Sequence, residues 1–244
     1  MDVITLYHLN MHKFSHIRHI FFDLDNTLWD FSANSHRILY EMYQAFDLQE
    51  MGIHAFDSFH DQYRMRNSHL WSEYKLGNKT REEVRLERFQ HTLYDHGIDN
   101  RLMAMRLADY YIENTRRVKD LVPGAVELLE ELSAKYPLHI ITNGFEEVQD
   151  FKLVNTGLRK YFRSITTAES AGQLKPGKKI FEHAMRQAGA EASESLYIGD
   201  SPDADGHGSM NAGMSFIWFN YKKEQNTHRF NCAVTELKAI GAML

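Results

Sequence analysis

The sequence predicts an α/β protein whose parallel sheet is flanked by helices and interrupted by an all-helical insertion. Short apolar runs of strand length occur near residue 20 and again after residue 118, where they alternate with helical periodicity. Polar side chains directly follow several of these runs, and ligands of open α/β sheets gather at the carboxyl ends of the strands. Residues 31–117 instead contain no proline and repeat apolar side chains at helical spacing.

These changes in sequence pattern indicate the expected domain boundaries. Residues 17–30 and 118–244 form the predicted sheet domain, and residues 31–117 form a predicted helical domain of roughly four helices, separated at glycine-containing breaks. Residues 1–16 are polar, rich in histidine and without clear periodicity, so we expect an N-terminal extension there.

Composition narrows the class of protein. Hydrophobic residues make up 43% and charged residues 25% of the 244 positions, which is typical of a folded globular chain. The net charge is −5 and the basic residues are scattered, so we expect a small substrate and no nucleic acid. The single Cys232 permits no internal disulfide, and no run approaches the roughly 20 apolar residues of a membrane span. We expect a cytoplasmic protein, monomeric or homodimeric, that binds no membrane.

The first polar group follows the β-prone residues 17–22 and contains Asp23, Asp25 and Thr27. Asp23 and Asp25 are two positions apart, so in an extended chain their carboxylates lie on the same side of the strand. The two charges then repel each other, unless a cation lies between them or one carboxyl group keeps its proton. Mg²⁺ prefers oxygen and is usually held by one or two carboxylates with phosphate and water. A capping aspartate beside a solvated acidic turn explains the same residues, and this segment alone favours neither interpretation.

A second polar group follows the predicted strand at residues 138–141. Thr142, Asn143 and Gly144 offer a hydroxyl, an amide and flexible backbone, and such groups at a strand end suit phosphate oxygens. An ordinary turn is the alternative, and the three residues taken alone favour it.

Lys175 stands immediately before Pro176, a residue that often begins a helix. A lysine just outside the amino end of a helix faces the positive end of the dipole, which is unfavourable unless a negative group lies nearby. A bound phosphate together with an aspartate would supply that charge. We therefore expect Lys175 to be the functional lysine of this segment.

A second acidic cluster follows the predicted strand at residues 196–198. If the strands are parallel neighbours, Asp200 and Asp205 lie at the same sheet edge as the first acidic pair and give a metal ion its third carboxylate. We expect Asp203, in the same loop, to cap a helix, and we expect Thr235 to cap a short final helix.

Taken in order, these residues resemble the four motifs of the haloacid dehalogenase (HAD) superfamily. The motifs are Asp23-x-Asp25-x-Thr27, then Thr142 after a strand, then Lys175-Pro176, then Gly199-Asp200 with Asp205 five residues on. The sequence is most similar to the pyrimidine and nucleoside 5′-monophosphate phosphatases (5′-nucleotidases) of this superfamily, over about residues 18–240. The longer segments that carry this similarity are residues 140–145, 156–162, 175–181 and 211–213.

The resemblance implies a Rossmann-like core and makes the helical segment a cap that closes over the site. It implies that Asp23 is the nucleophile, forming an aspartyl-phosphate, and that Asp25 is the general acid and base. Lys175 would act with Thr142 and the neighbouring Asn143 and Gly144 in holding phosphoryl oxygens.

The resemblance also implies Mg²⁺, bound by Asp23, the backbone carbonyl of Asp25, and Asp200. Asp205 would order Lys175 or a water molecule, and Thr27 would support the first motif. The implied substrate is a small phosphorylated metabolite, foremost a nucleoside monophosphate.

Other activities share these motifs. Sugar phosphatases, phosphoglycolate phosphatases and phosphomutases all keep the four motifs, whereas dehalogenases on this fold usually lack the carboxylate at Asp25. A non-catalytic binding protein is an alternative of a different class. Gly206 and Ser209 depart from the residues that relatives usually show, which leaves the shape of the loop after Asp205 open.

Overall fold

The computed structural model describes residues 14–244, so most of the predicted N-terminal extension lies outside the described residues. The chain divides into two compact units. One comprises the segment up to Phe31 together with Lys119–Leu244, and the other comprises Ser32–Val118.

A parallel sheet is the frame of the first unit. Within residues 14–244 it has six strands in the order β3-β2-β1-β4-β5-β6, and every neighbouring pair is parallel. The strands are β1 His19–Phe22, β2 Leu138–Thr142, β3 Phe162–Thr167, β4 Ser195–Gly199, β5 Ser215–Phe219 and β6 Ala233–Val234. The predicted parallel sheet is confirmed, and β3 and β6 are strands that the sequence patterns did not indicate.

The register of the central strands determines which loops meet. Phe22, the last residue of β1, is aligned with Ile140 of β2 and with Ile198 of β4. Because the three strands are parallel, the segments that follow them leave the same edge of the sheet. This alignment brings together the residues after positions 22, 141 and 198.

The second unit is all helical, as the sequence predicts. All residues of this unit are described, and they form four helices: α1 Phe31–Ala45, α2 Phe56–Lys75, α3 Arg81–Asp95 and α4 Arg101–Thr115. Helix α1 begins one residue before the first residue of the unit, Ser32. Helix α3 begins with a capping box, in which the Thr80 hydroxyl accepts from the Glu83 amide at 3.2 Å and the Glu83 carboxylate accepts from the Thr80 amide at 2.7 Å.

Helices cover the sheet of the first unit. They are α5 Ala125–Ser133, α6 Glu146–Asn155, α7 Ala168–Ala171, α8 Lys178–Ala188, α9 Gly208–Asn211 and α10 Lys238–Gly241. The apolar face of α5 is buried, with Leu129 and Leu132 fully inaccessible. In the described part of the chain, no helix is long and apolar enough to cross a membrane.

Two predicted helix starts are wrong. Helix α8 begins at Lys178 with Gly177 as its cap residue, and Pro176 precedes it in a cis peptide bond with Lys175. The side chain of Gln173 accepts a hydrogen bond from the Lys179 amide at 2.9 Å, so the first turn is satisfied from the preceding loop. Helix α10 begins only at Lys238, with Leu237 rather than Thr235 at the cap position.

Candidate active site

Asp23 continues β1 by one residue, because its amide donates to the carbonyl of Ile198 at 2.9 Å. Beyond it the chain turns sharply: the amides of Leu28 and Trp29 both donate to the Leu24 carbonyl, at 2.9 Å. Asn26 within this turn has a φ of 61°, a left-handed conformation that asparagine tolerates well. The turn leaves Asp23 nearly buried, at 7% exposure, while the Asp25 side chain is 26% exposed.

Lys175 is the buried centre of the site. Its ammonium donates to the carboxylate of Asp23 at 2.6 Å and to that of Asp205 at 2.7 Å. It also contacts the Tyr197 hydroxyl at 2.9 Å and the Ile141 carbonyl at 3.1 Å. Burial by itself would lower the pKa of this lysine, but the two carboxylates outweigh that effect and hold the pKa above its ordinary value. The lysine therefore carries its charge at neutral pH.

Three carboxylates lie close together at this edge of the sheet. Asp23, Asp200 and Asp205 each place an oxygen within 4.8 Å of the others. Burial, with repulsion from Asp205 and Asp25 added and Lys175 opposing, raises the pKa of Asp23 to about 7. Burial, followed by repulsion from Asp205 and Asp23, also raises the pKa of Asp200.

This carboxylate cluster fits Mg²⁺. Three carboxylates against one ammonium leave negative charge that the buried site does not compensate, and oxygen donors are those that Mg²⁺ prefers. Asp205 already accepts from Lys175 and, at 2.9 Å, from the Ser201 amide. Asp23 and Asp200 therefore have more oxygen lone pairs left for an ion than Asp205 has.

The segment after β2 approaches the same place through Thr142, Asn143 and Gly144. The Asn143 side chain donates to the Lys175 carbonyl at 3.1 Å and accepts from the Lys175 amide at 2.7 Å. Both polar atoms of this side chain are thus engaged in holding the backbone of Lys175. The Thr142 hydroxyl accepts from the Gly144 amide at 3.1 Å.

Helix α6 contributes two buried side chains that the sequence patterns did not single out. Lys152 donates to one oxygen of the Asp25 carboxylate at 2.5 Å, and Gln149 donates to the other at 2.8 Å. Gln149 also donates to the Thr142 hydroxyl at 2.8 Å. The available signal was their spacing of three residues, which places both on one helix face just after the Thr142 loop.

Tyr197 is a third residue that the sequence patterns missed. It lies in the middle of β4, where an aromatic side chain is ordinary, and its hydroxyl contacts both the Ile141 carbonyl, at 3.0 Å, and Asp205, at 3.2 Å. Only the packing of neighbouring strands shows that this hydroxyl faces Lys175.

The loop after β4 forms a π-helical turn, Pro202–His207. Asp203 was expected to cap it, but the cap is Ser201, whose hydroxyl accepts from the Ala204 amide at 3.2 Å. Ser209 donates to the Asp205 carbonyl at 2.6 Å, and a side chain at Gly206 would overlap the Phe230 ring. Of these two residues, which depart from the pattern of relatives, Ser209 holds the backbone of Asp205 and Gly206 leaves room for the Phe230 ring.

Thr27 is also at this edge, fully buried behind the first acidic pair. Among the described residues its hydroxyl has no hydrogen-bond partner. The structure thus brings Asp23, Lys175, Asp200 and Asp205 into one cluster, with Asp25 and Thr142 joined beside it through Gln149.

The sequence is similar to those of known hydrolases. The sequence profile of the haloacid dehalogenase-like hydrolases matches residues 20–219. The pyrimidine 5′-nucleotidase YjjG of Escherichia coli is 33% identical over 208 residues, which cover 84% of this chain and 88% of the relative. The pyrimidine 5′-nucleotidase PynA of Streptococcus pneumoniae is 31% identical over 205 residues, covering 82% and 83% respectively.

The fold is also similar to a solved structure. The putative HAD-hydrolase YfnB of Bacillus subtilis, crystallised with bound magnesium, superposes with a TM-score of 0.82 at 28% identity, covering 92% of this chain and 96% of that one. The family profile extends from β1 through β5 and so includes every residue of the cluster. The chain is therefore an enzyme of the haloacid dehalogenase-like hydrolase family.

Proposed function

We propose that this protein is a Mg²⁺-dependent phosphomonoester hydrolase that acts through an aspartyl-phosphate intermediate. The observation that carries the proposal is the division between two neighbouring carboxylates. Asp23 is buried against Lys175, whereas Asp25 is partly exposed and held by α6. This division supports Asp23 as the carboxylate that attacks and Asp25 as the carboxylate that exchanges a proton with the substrate.

In the first step a carboxylate oxygen of Asp23 forms a bond to phosphorus while the bond from phosphorus to the leaving oxygen breaks. Asp25 gives its proton to that oxygen, which departs as an alcohol. In the second step Asp25 takes a proton from water, the water oxygen attacks phosphorus, and the bond between phosphorus and Asp23 breaks. Inorganic phosphate leaves, and both carboxylates return to their initial state.

Charge on the transferring phosphoryl group requires stabilisation in both steps. We assign this role to the Lys175 ammonium, the Thr142 hydroxyl and the backbone amide of Asn143, whereas the Gly144 amide donates to Thr142 and so holds that hydroxyl in place. Mg²⁺, bound by Asp23, the Asp25 carbonyl oxygen and Asp200, would offset further negative charge on the phosphoryl oxygens. Asp205 keeps Lys175 in place through its 2.7 Å ion pair, and Thr27 supports the turn after β1.

The proposed substrate is a nucleoside 5′-monophosphate. Support comes from the two relatives named as pyrimidine 5′-nucleotidases, each matched over more than four-fifths of its length. Sugar phosphates and phosphoglycolate carry the same phosphoryl group on other alcohols, so only direct comparison of substrates can separate these activities.

The test is phosphate release from a panel of nucleoside 5′-monophosphates, sugar phosphates and phosphoglycolate, with and without Mg²⁺. We expect Mg²⁺-dependent release with nucleotides preferred, and a loss of at least about 10³-fold in Asp23→Asn because the nucleophile is gone. Asp150→Asn, an exposed position on α6, is the matched control and should retain wild-type activity.

Each alternative has a distinct outcome in this panel. Full activity in Asp23→Asn would contradict the assigned nucleophile. A preference for sugar phosphates would replace the nucleotidase assignment, and transfer of phosphate to a second hydroxyl of the substrate would indicate a mutase. No release from any ester would favour a binding protein.

A further inference from the structure

We propose that Lys152, assisted by Gln149, is a positioning residue that orients the Asp25 carboxylate for proton transfer. This inference rests on the proposed function, in which Asp25 exchanges the proton with the leaving alcohol and with water. It concerns two side chains of α6 that lie outside the four motifs, and neither is proposed to touch the substrate.

Lys152 and Gln149 hold opposite oxygens of the same carboxylate. Lys152 donates to Oδ1 at 2.5 Å and Gln149 donates to Oδ2 at 2.8 Å, so rotation of the Asp25 carboxylate about its last bond is blocked. A carboxylate has about four lone-pair positions, and these two bonds use two of them. Asp25 is 26% exposed while Lys152 is only 5% exposed, so the carboxylate is the accessible partner of this pair.

The burial of Lys152 supports a functional role. Removing an ammonium from water is costly, and a buried ion pair can often be replaced by apolar residues without loss of stability. The cost here is reduced by the face of Trp29, whose ring centre lies 4.1 Å from the ammonium, and by Phe31 at 5.9 Å. An apolar side chain on α6 would pack against the same rings. The charge is therefore explained by what it does to Asp25.

Gln149 joins the proton carrier to the proposed phosphate-binding hydroxyl. Its amide donates one hydrogen to Asp25 and the other to Thr142, at 2.8 Å in both cases. The Thr142 hydroxyl also accepts from the Gly144 amide at 3.1 Å, so both of its lone pairs are engaged and its own hydrogen is the group left to donate. A side chain at position 144 would overlap the Gln149 amide, so glycine is required there.

The proposal predicts a defect that depends on the leaving group. An alkoxide must be protonated as it leaves, whereas p-nitrophenolate leaves without a proton. The value of kcat/KM reports transfer of the phosphoryl group to Asp23, because that is the step in which the alcohol departs. Misorienting Asp25 should therefore slow alkyl phosphates far more than p-nitrophenyl phosphate.

The experiment measures kcat/KM with Mg²⁺ for p-nitrophenyl phosphate and for the alkyl phosphate that the wild-type enzyme hydrolyses best. In Lys152→Met we expect a loss of about 10²-fold on the alkyl ester and less than about tenfold on the aryl ester. Lys152→Arg, which keeps a cationic donor, should recover part of the alkyl activity. Lys135→Met, which removes a surface lysine paired with Glu131, is the control and should change neither value.

A double-mutant cycle with Asp25→Asn tests whether Lys152 acts through Asp25. In that background Lys152→Met should change the alkyl-to-aryl ratio no further. Equal losses on both esters, or an undiminished effect without Asp25, would overturn the proposal. If Lys152→Met does not fold, Lys152→Gln, which keeps a polar side chain at the buried position, is expected to shift the same ratio, and equal losses there would be equally decisive. Wild-type inactivity on both esters would instead overturn the proposed function.

Discussion

Asp23 and His139 show how burial acts on single titratable residues of the sheet unit. The same loss of hydration raises the pKa of the Asp23 carboxyl to about 7 and lowers that of the His139 imidazole to about 4. In both cases the charged form is penalised, so an acid and a base shift in opposite directions. The acid belongs to the active-site cluster, whereas the histidine lies in β2 and contributes to stability.

His139 should make folding depend on pH. Its ring stacks on Phe21 and bonds to His19 at 3.2 Å and Ser164 at 2.7 Å. Burial, then repulsion from His19 and Arg163, lowers its folded pKa below the unfolded value of 6.5. The unfolded chain therefore binds more protons between pH 6.5 and 4. Stability from this residue is complete above pH 6.5 and is lost as pH falls toward 4, by up to about 3 kcal/mol.

Urea unfolding at several pH values between 7.5 and 4 checks this prediction, with His139→Gln as the comparison. Asp23 titrates in the opposite direction over part of this range, so the difference between the two proteins is the informative quantity. The wild type should lose more stability on acidification than the variant. Parallel curves would show that His139 does not carry the effect.

At the scale of elements, the junctions between strands and the segments after them determine the site. At the junction of β4 with the π-helical turn, a Cβ atom at Gly199 would overlap the Asp205 carboxylate. Strand β4 therefore has to end in glycine for Asp205 to reach Lys175. The buried face of helix α6 also helps to determine the site, because its Gln149 donates to Asp25 of the first motif and to Thr142 of the second.

Gly199→Ala should displace Asp205 and weaken its hold on Lys175. We expect a cost of roughly 1–3 kcal/mol in unfolding free energy from overpacking, and a fall in kcat/KM of at least about tenfold from misplacement of the lysine. Gly189→Ala is the matched control: its φ of 65° makes alanine unfavourable by about 1 kcal/mol, and in residues 14–244 no atom beyond its chain neighbours lies within 4 Å of the added Cβ.

The two glycine variants separate stability from function. Both should lower the melting temperature, but only Gly199→Ala should lower kcat/KM. Unchanged kinetics in Gly199→Ala would mean that the position of Asp205 does not matter for activity.

For the whole molecule, the carboxylate cluster connects metal binding to the free energy of unfolding. A Mg²⁺ ion that binds the folded chain and not the unfolded chain must raise the free energy of unfolding by RT ln(1 + [Mg²⁺]/Kd). The carboxylates of Asp23 and Asp200 would supply the ligands, and both come from segments that folding alone brings together.

Mg²⁺ should therefore raise the melting temperature of the wild type, and the dependence of this shift on Mg²⁺ concentration gives the dissociation constant. In Asp200→Asn the shift should be smaller at every Mg²⁺ concentration, because one anionic ligand is lost. Asp150→Asn, on the exposed side of α6, should follow the wild type. A wild-type melting temperature that is independent of Mg²⁺ would contradict the assigned metal site.

Much of this fold could be predicted because its signals are local. Residues 17–22, 138–141, 196–198 and 215–219 are apolar runs of strand length, and all four coincide with strands of the sheet. Strand β3 was missed because its six residues are mostly polar or hydroxylated, and β6 because it has only two residues. Pro176 misled the prediction of α8, since a proline near a helix start does not specify the first helical residue.

The sequence by itself determined the α/β class, the helical segment and the order of the motif residues, because periodicity and strand ends are properties of neighbouring positions. Only the tertiary structure decided that Lys152 and Gln149 meet Asp25 across more than 120 residues, and that Tyr197 faces Lys175. The sequence of a helix does not distinguish a buried lysine from a lysine on the surface. What distinguishes them is the desolvation and the partner that distant segments supply when they pack.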